Sequence, residues 1–529
     1  MSVVYDVAVV GSGFAGSLLA MIARRQGRSV VLLEKNKHPR FAIGESSTPL
    51  SNLLLEDLAR RYNLPAIAPL AKLGTWQTAY PELDCGLKRG FTFYHHRFGE
   101  RTATGPDRED QLLVSASPHD GIADTHWHRA PVDAHFVREA RNCGVEYLDE
   151  VELNAAVELN ASVRLTGKRH GAEIGISARF VVDATGPRGF LHHAFGLAEL
   201  ALPDFPETQG LYTHFRGVHR IEDLTEPGSD EPPYPIDDAA VHHVFDGGWI
   251  WVLRFRSGIT SAGVAMRKSL AARIQFSEGA PAWERLLECL PTVRDQFADA
   301  SAIRPFTYAP RLTFRSAVVA GERWAILPSA AGFVDPLLST GFPLALLGVA
   351  RLATMMEEHW DTDRFRAELS AYADTTSGEL LAAARLIGSL YACMGNFKLF
   401  THLSLIYFAV ASYAETARRL EKPHLASAFL LHDHPSLQLR LPQIFRRARS
   451  AQGKDETERL CEDILRAIEP VNVAGLGNPE RHNWYPVDAE DLLRGAPKLG
   501  ASREEIARLL DQCDFHGVRR SHGFIRTSV

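Results

Sequence analysis

A glycine-rich turn near the start of the chain constrains the fold more than any other feature. Residues 3–10 form an apolar, β-branched run, GSGFAG follows, and SLLAMIARRQG then shows the spacing of an amphipathic helix. Gly11 permits a tight turn, Gly13 lets the backbone approach a phosphate, and Gly16 lets helix and strand pack closely. The next apolar run, SVVLLEK, contains Glu34, which is suited to a ribose hydroxyl. This order predicts a strand-helix-strand unit that binds a dinucleotide.

Two later segments indicate which dinucleotide to expect. VVDATGPRG, around Asp183 to Gly186, and PSAAGFVDPLLSTG, around Pro328 to Gly341, resemble the second and third FAD fingerprints of glutathione-reductase-type flavoproteins. They follow the first fingerprint in the expected order, so FAD is favoured over NAD. The third fingerprint usually contains Gly-Asp where this chain has Pro328-Ser329, and a serine hydroxyl cannot supply the charge. We therefore expect FAD to be held loosely.

The rest of the chain suggests how it is organised. Its 529 residues allow more than one domain. The predicted fold class is α/β, a glutathione-reductase-type FAD-binding Rossmann fold with an antiparallel-sheet substrate region and a helical C-terminal region. We predict an FAD-binding module over residues 1–350, with the antiparallel sheet from about 210 to 310, where apolar and polar residues alternate. A mostly helical region over 351–529 follows.

Composition and local patterns exclude several classes of partner. A formal net charge of −6 gives no basic footprint for nucleic acid. The six cysteines include no CxxC pair, and the chain opens without the features of a signal peptide, so a cytoplasmic location is expected. The apolar stretch LSLIYFAVASYA is shorter than the ~20 residues of a membrane span and predicts a buried helix. His126 and His128 share one strand face without a third ligand nearby, so we expect no metal site.

Four further motifs are similar to those of the flavin-dependent halogenases over residues 1 to about 350. GESSTP, at Gly44 to Pro49, resembles the family's loop beside the cofactor, and GWIWVLRF resembles its Trp-x-Trp-x-Ile-Pro signature. VDPLLSTG resembles its Asp-Pro-Leu-x-Ser-Thr-Gly segment, and KRGFTF resembles the context of its catalytic lysine. Arg129 resembles the flavin-side arginine of the wider superfamily. The chain departs from the family at Leu253 and Arg254, in place of Ile-Pro, and at Leu338, where tryptophan halogenases have a glutamate.

The motifs and the resemblance together give a set of site residues. The predicted catalytic residues are Lys88, which orients the halogenating agent or holds it as a haloamine, with Trp249 and Trp251, which line its path. The predicted cofactor-binding residues are Gly11, Gly13, Phe14, Ala15, Gly16, Glu34, Lys35, Gly44, Glu45, Ser46, Arg129, Asp183, Gly186, Ser329, Asp335 and Gly341. Thr340 and Gly341 are the predicted halide-binding residues.

The leading hypothesis is therefore a two-component FAD-dependent oxidoreductase that resembles halogenases. It would form hypohalous acid from reduced FAD, O₂ and chloride or bromide, and halogenate an electron-rich small molecule that is aromatic or otherwise apolar. A separate flavin reductase would supply the reduced FAD, because only one dinucleotide fingerprint is present. The substrate is free or bound to a carrier protein, and a homodimer is left open. Two alternatives stand: a flavin monooxygenase or reductase acting on an apolar or lipid-like substrate, and an FAD-binding protein that acts through partner binding.

Overall fold

The computed structural model describes residues 4–102, 105, 107–224 and 230–517. The strands are β1 (Val4–Val10), β2 (Val30–Leu33), β3 (Cys85–Lys88), β4 (Gly90–His96), β5 (Gln111–Ser115), β6 (Asp124–Trp127), β7 (Glu146–Leu148), β8 (Val151–Glu158), β9 (Val163–Arg169), β10 (Ala172–Asp183), β11 (Thr208–Arg216), β12 (Ala240–Phe245), β13 (Gly248–Arg254), β14 (Thr260–Arg267), β15 (Ser301–Ala302), β16 (Thr307–Ala309), β17 (Phe314–Arg315), β18 (Trp324–Ile326), β19 (Gly332–Phe333) and β20 (Trp484–Tyr485).

The α-helices alternate with strands in the first half of the chain and dominate the second half. They are α1 (Phe14–Arg25), α2 (Pro49–Arg61), α3 (Leu73–Ala79), α4 (Arg129–Asn142), α5 (Phe190–Ala194), α6 (Lys268–Ile274), α7 (Ala280–Glu288), α8 (Pro291–Gln296), α9 (Pro328–Ala331), α10 (Gly341–Glu358), α11 (Arg364–Cys393), α12 (Phe397–Arg419), α13 (Leu441–Ala448), α14 (Lys454–Ile468), α15 (Ala489–Gly495) and α16 (Arg503–Gln512).

The first sheet has the order β7-β2-β1-β10-β9-β8, and β18 pairs with β10. The pairings among β7, β2, β1, β10 and β18 are parallel, whereas β10, β9 and β8 pair antiparallel. β1 and β2 are buried along most of their lengths because helices cover the sheet, as the apolar runs predicted. This is the predicted Rossmann arrangement, and it places the turn after β1 at the carboxyl edge of the sheet, where ligands bind.

The second sheet has the order β15-β11-β14-β13-β12-β4-β5-β20, with β16 beside β11. Its central strands are antiparallel, in agreement with the alternation seen from about residue 210 to 310. It is larger than the sequence suggested, because β4 joins β12 in parallel and β20, from the C-terminal region, joins β5 in parallel. These pairings join segments far apart in sequence, which local periodicity does not reveal.

A separate two-stranded antiparallel sheet pairs β3 with β6, which flank β4 and β5 of the second sheet along the chain. Lys88 is the last residue of β3, and its register partner is Asp124, the first residue of β6. Directly opposed residues of an antiparallel pair project their side chains from the same face. The topology therefore brings an amine and a carboxyl group 36 residues apart onto one face.

The C-terminal helices pack on the N-terminal half through one continuous apolar core. We keep the division into residues 1–350 and 351–529 as a proposal, since α10 crosses residue 350 and β20 returns to the second sheet. Two described helices have the length and composition of a membrane span, Leu337–Glu358 and Phe397–Arg419. Within their apolar windows 72% and 78% of the residues are buried in the protein. The predicted buried helix around LSLIYFAVASYA lies in the second of these, α12.

Candidate functional site

The glycine turn after β1 leaves an open space in front of one glycine only. Gly11 has a φ of +100°, and a Cβ there would lie 2.6 Å from the backbone of Ala184. A Cβ on Gly16 would lie 2.0 Å from the Gly11 carbonyl oxygen, so this glycine allows α1 to pack on the turn. A Cβ on Gly13 would come no closer than 3.4 Å, and that neighbour is the guanidinium of Arg129. The Asp133 carboxylate at 3.8 Å and the Arg40 guanidinium at 3.9 Å also face this position, so two cations outnumber one anion at the start of α1, which fits a pyrophosphate.

Arg129 links this space to the GESSTP loop. Its Nη1 donates to the carbonyl oxygens of Ile43, at 2.9 Å, and Gly44, at 3.0 Å. Its Nε and Nη2 bind the Asp133 carboxylate, both at 2.9 Å. The same carboxylate accepts the backbone N–H of Phe14 at 3.2 Å. Asp133 was not predicted as a site residue, although it follows Arg129 by one helical turn and so shares its face.

Glu34 is held at the end of β2 by several donors. Its carboxylate accepts from the Ser12 backbone at 3.1 Å and from the Ser12 hydroxyl at 2.8 Å, and Arg40 lies 3.1 Å away. Burial acts to raise its pKa, but the charge of Arg40 and the hydrogen bonds from Asn36 and Ser12 outweigh burial and lower that pKa. The group is thus ionised and positioned near the glycine turn. Lys35, by contrast, points to solvent and pairs with Glu152 at 3.4 Å.

A cavity of about 700 Å³ extends from this region, and we call it the dinucleotide-side cavity. Twelve of the predicted residues line it: Phe14, Gly44, Glu45, Ser46, Arg129, Gly186, Trp249, Trp251, Ser329, Asp335, Thr340 and Gly341. Gly11 and Gly13 form the turn beside it, and Ala15 and Gly16 lie in the first turn of α1. The Asp183 carboxylate is engaged by Thr185 and by the Leu191 backbone N–H, so it shapes its own turn. A contact between Asp183 and FAD stays a prediction.

The tryptophan pair forms one wall of this cavity. The two rings lie 5.6 Å apart between centroids. Trp249 donates from Nε1 to Asp335 at 3.0 Å, and the Tyr391 hydroxyl donates to the other oxygen of that carboxyl group at 2.9 Å. Burial raises the pKa of Asp335 to about 7. Tyr391 comes from α11, so a C-terminal residue that the sequence did not single out helps to fix the wall.

The predicted halide-binding residues sit where α10 begins. Leu338 and Ser339 have left-handed φ values of 63° and 55°, which turn the chain so that the helix start faces the dinucleotide-side cavity. A Cβ on Gly341 would meet no atom within 4 Å. Leu338, where tryptophan halogenases have a glutamate, is buried and lines neither this cavity nor the second one described below.

A second, mostly apolar cavity of about 200 Å³ lies between the N-terminal half and the C-terminal helices. We call it the helix-side cavity. Its walls include Thr48, Asn52, Phe91, Asp124, Pro343, Leu347, Tyr407 and Phe408. The two cavities share a wall, because Ser46 lines the first and Thr48 the second, while Phe342 lines the first and Pro343 the second.

Lys88 lies inside this shared wall and is 0% exposed. Its Nζ donates to the carbonyl oxygen of Ser47 and lies 3.9 Å from the centre of the Phe91 ring. Burial lowers the pKa of the Lys88 ammonium, and the charge of Asp124 acts in the opposite direction. Lys88 is therefore a buried lysine, although most lysines lie at the protein surface.

Histidines do not form a metal site in the described part of the chain, where no group of three or more potential ligand side chains comes together. His126 bonds the Ala239 carbonyl oxygen at 3.2 Å, whereas His128 bonds the Asp84 carboxylate at 2.8 Å. The two rings thus serve different neighbours. Burial lowers the pKa of His126 to about 3, so the ring stays neutral near Lys88.

Comparisons with known proteins agree with this geometry. The family model of the FAD dependent oxidoreductases matches residues 6–325. The chain is 26% identical to tetracycline 7-halogenase of Kitasatospora aureofaciens over 96% of its own length and 95% of that protein. It is 25% identical to the 1H-pyrrole-2-carbonyl-[peptidyl-carrier protein] chlorinase of Pseudomonas fluorescens, over 66% of this chain and 75% of that one.

The crystal structure of halogenase PltM in complex with phloroglucinol and FAD superposes with a TM-score of 0.80 at 23% identity, covering 91% of this chain and 99% of that one. The predicted FAD-binding fold and the resemblance noted in the sequence are thereby confirmed. The chain belongs to the FAD-dependent oxidoreductase family, and it has the fold of the flavin-dependent halogenases.

Proposed function

We propose that this enzyme is a two-component FAD-dependent halogenase that acts on an electron-rich aromatic small molecule. The observation that carries the proposal is the position of Lys88, buried in the wall between two cavities. When bound in reduced form, FAD supplies the two electrons with which O₂ and a halide ion give hypohalous acid.

The dinucleotide-side cavity fits FAD, and its walls separate the cofactor from the substrate. Gly13 and Arg129 are positioned for the pyrophosphate, and Glu34 for the ribose. The backbone around Thr340 and Gly341 is the proposed halide site. Trp249 and Trp251 cover the side toward the second sheet, where Asp335 fixes the first of them. Their proposed role is to keep an aromatic substrate off the cofactor.

Lys88 is the proposed relay between the cavities. A small agent that forms on the cofactor side must cross the wall that holds Ser47 and Lys88. A buried amine can orient hypohalous acid by a hydrogen bond or hold the halogen as a haloamine. Burial lowers the pKa of Lys88, so the group can act both as an ammonium donor and as a free amine. The Phe91 ring lies under the Nζ and also lines the helix-side cavity, so the relayed agent emerges there.

The helix-side cavity is the proposed substrate site. Its lining of Phe91, Tyr407 and Phe408 suits stacking against an aromatic ring. The similar proteins are named for a tetracycline and for a pyrrole bound to a carrier protein, so free and carrier-bound substrates both stay within the proposal. A separate flavin reductase and a cytoplasmic location are also part of it.

The test supplies the purified protein with reduced FAD, oxygen and bromide, together with a panel of phenols, indoles and pyrroles. We expect brominated mass shifts for at least one member, and none when bromide is left out. Hydroxylated products that do not depend on bromide would assign the chain to the flavin monooxygenases. Oxygen consumption without any modified product across the panel would contradict the proposal.

A further inference from the structure

The helix-side cavity contains a buried carboxyl group that none of the predicted roles uses. Asp124 is 4% exposed and lines the cavity. Its Oδ1 accepts from the Asn52 amide at 2.7 Å. Its Oδ2 is buried and has no hydrogen-bond partner among the described residues. A buried carboxylate oxygen without a partner is costly, so it points to a donor that arrives with a ligand.

Asp124 also faces the proposed relay. It is the register partner of Lys88 on the β3-β6 ribbon, so both side chains leave the same face. Lys88 gives its hydrogen bond to Ser47 and Asp124 takes its own from Asn52, so the two groups are not joined directly. A ring in the helix-side cavity would thus meet the free oxygen of Asp124 in the lining, with the Lys88 amine directly behind the Phe91 ring in the shared wall.

We propose that Asp124 is a second catalytic residue, which accepts the hydroxyl proton of a phenolic substrate while Lys88 delivers the halogen. The inference rests on the proposed halogenase function and narrows its substrate class to aromatic rings that bear an ionisable hydroxyl group. Removing that proton raises the electron density of the ring and therefore its reactivity toward an electrophilic halogen. The hydroxyl is also the donor that the free Oδ2 lacks.

The proton transfers balance in two steps. In the first, a ring carbon attacks the halogen of hypohalous acid, so a carbon–halogen bond forms and the oxygen–halogen bond breaks. The Lys88 ammonium protonates the departing hydroxide to give water, and the Asp124 carboxylate takes the ring hydroxyl proton. The ring is oxidised, the halogen is reduced, and a neutral halogenated dienone remains. In the second step the Lys88 amine removes the proton from the halogen-bearing carbon, and Asp124 returns its proton to the dienone oxygen.

The electrostatics of the pair suit this exchange. Burial lowers the pKa of Lys88 and raises that of Asp124. The charge of Asp124 partly restores the pKa of Lys88, and the charge of Lys88 partly restores that of Asp124. The ammonium–carboxylate pair and the amine–carboxylic acid pair both have a net charge of zero, so a proton can move between the two groups without leaving a net charge buried. Glu415 and Arg419 of α12 also act on Asp124, in opposite directions.

The test compares wild type with Asp124→Asn, using bromide and two phenols at one pH: an unsubstituted phenol that is un-ionised there and a nitrophenol that is ionised. We expect Asp124→Asn to brominate the un-ionised phenol about 100-fold more slowly or worse, the usual scale for loss of a general base. It should brominate the ionised nitrophenol within a few-fold of wild type, because that substrate has no hydroxyl proton to give up. The matched control is Asp120→Asn, an exposed carboxylate outside both cavities, which should leave both rates unchanged.

Equal loss on both phenols, or no loss on either, would overturn the role of Asp124. If no wild-type bromination of any panel member occurs, the proposed function fails instead, and the two failures are therefore distinct. Should Asp124→Asn not fold, as judged by its bound flavin and its melting temperature, Asn52→Ala offers the same comparison, since it frees Oδ1 without removing the carboxyl group. A moderate loss on the un-ionised phenol alone is then expected, and an unchanged ratio of the two rates would count against the proposal.

Discussion

Replacement of Lys88 by methionine is the perturbation that separates the possible functions most sharply. Methionine fills a similar volume with an unbranched chain, so the wall between the cavities stays closed while the amine is lost. The loss leaves the Ser47 carbonyl oxygen without its donor and Asp124 without its facing cation. An unpaired buried polar group costs about 1–3 kcal/mol, and removing a buried ammonium offsets part of that cost. We therefore expect a folded protein of slightly lower stability.

The catalytic effect should be far larger than the structural one. Lys88 lies in the shared wall and lines neither cavity, so Lys88→Met should leave FAD binding and oxygen consumption within a few-fold of wild type. Halogenated product should fall by about 10²–10⁴-fold, the range found when a positioned proton-transfer group is removed. Lys88→Arg should be nearly as damaging, because a guanidinium stays protonated and is too bulky for a site with 0% exposure.

The assay measures product mass and oxygen uptake in the same reaction. The control is Lys268→Met, an exposed lysine paired with Glu207 at 2.7 Å, which should behave as wild type. A monooxygenase would instead yield hydroxylated product with or without Lys88, and bromide would change nothing. Full halogenation by Lys88→Met would remove Lys88 from the mechanism and refute the relay argument.

Three further predictions follow from the same site. Gly13→Val should fold, because Gly13 has an ordinary φ of −65° and a Cβ there has room in the protein alone. It should not bind FAD, because the side chain would occupy the space of the pyrophosphate. Flavin absorbance after reconstitution measures the binding, and retained flavin would contradict the prediction. Wild type should lose FAD on purification, and Ser329→Asp should lower the Kd for FAD; a wild type that keeps its full flavin content would count against the role of this position. Asp335 has a pKa raised by burial to about 7, above its unfolded value of about 3.9, so its contribution to stability is lost as pH rises between these values. Asp335→Asn should therefore lose less stability than wild type over that range in urea titrations, and parallel curves would refute the assignment.

The first βαβ unit could be predicted from the sequence because its signals are local. The apolar run, the glycines and Glu34 lie within one short segment, and each has its expected place in the fold. Lys35 is the exception, since it points outward at the end of β2. Trp249 and Trp251 were predicted from the family signature, and because they lie two residues apart on β13 they share a face and line one cavity.

The rest of the site could not be predicted because it depends on pairings between distant segments. The burial of Lys88 follows from β3 and from the α12 helix that closes the helix-side cavity, and KRGFTF by itself is equally typical of a surface strand. The proximity of Asp124 to Lys88 depends on the register between β3 and β6, which the sequence does not reveal. Tyr391 reaches Asp335 from α11, in a region whose sequence carried no recognisable motif.

The residues at which the chain departs from the halogenase pattern differ in how close they lie to the two cavities. Arg254 stands where the signature has a proline, three and five residues from the two tryptophans. Because side chains alternate along a strand, it leaves the opposite face of β13, where it donates to Asp237 at 3.2 Å and to the Val218 carbonyl oxygen at 2.9 Å. It therefore binds structure outside both cavities. Leu338 is likewise outside their linings. Ser329 does line the dinucleotide-side cavity, so the change most able to alter function concerns how tightly FAD is held. None of these three residues contacts Lys88 among the described interactions, so the departures leave the proposed relay unchanged, and the prediction that they affect concerns the affinity for FAD.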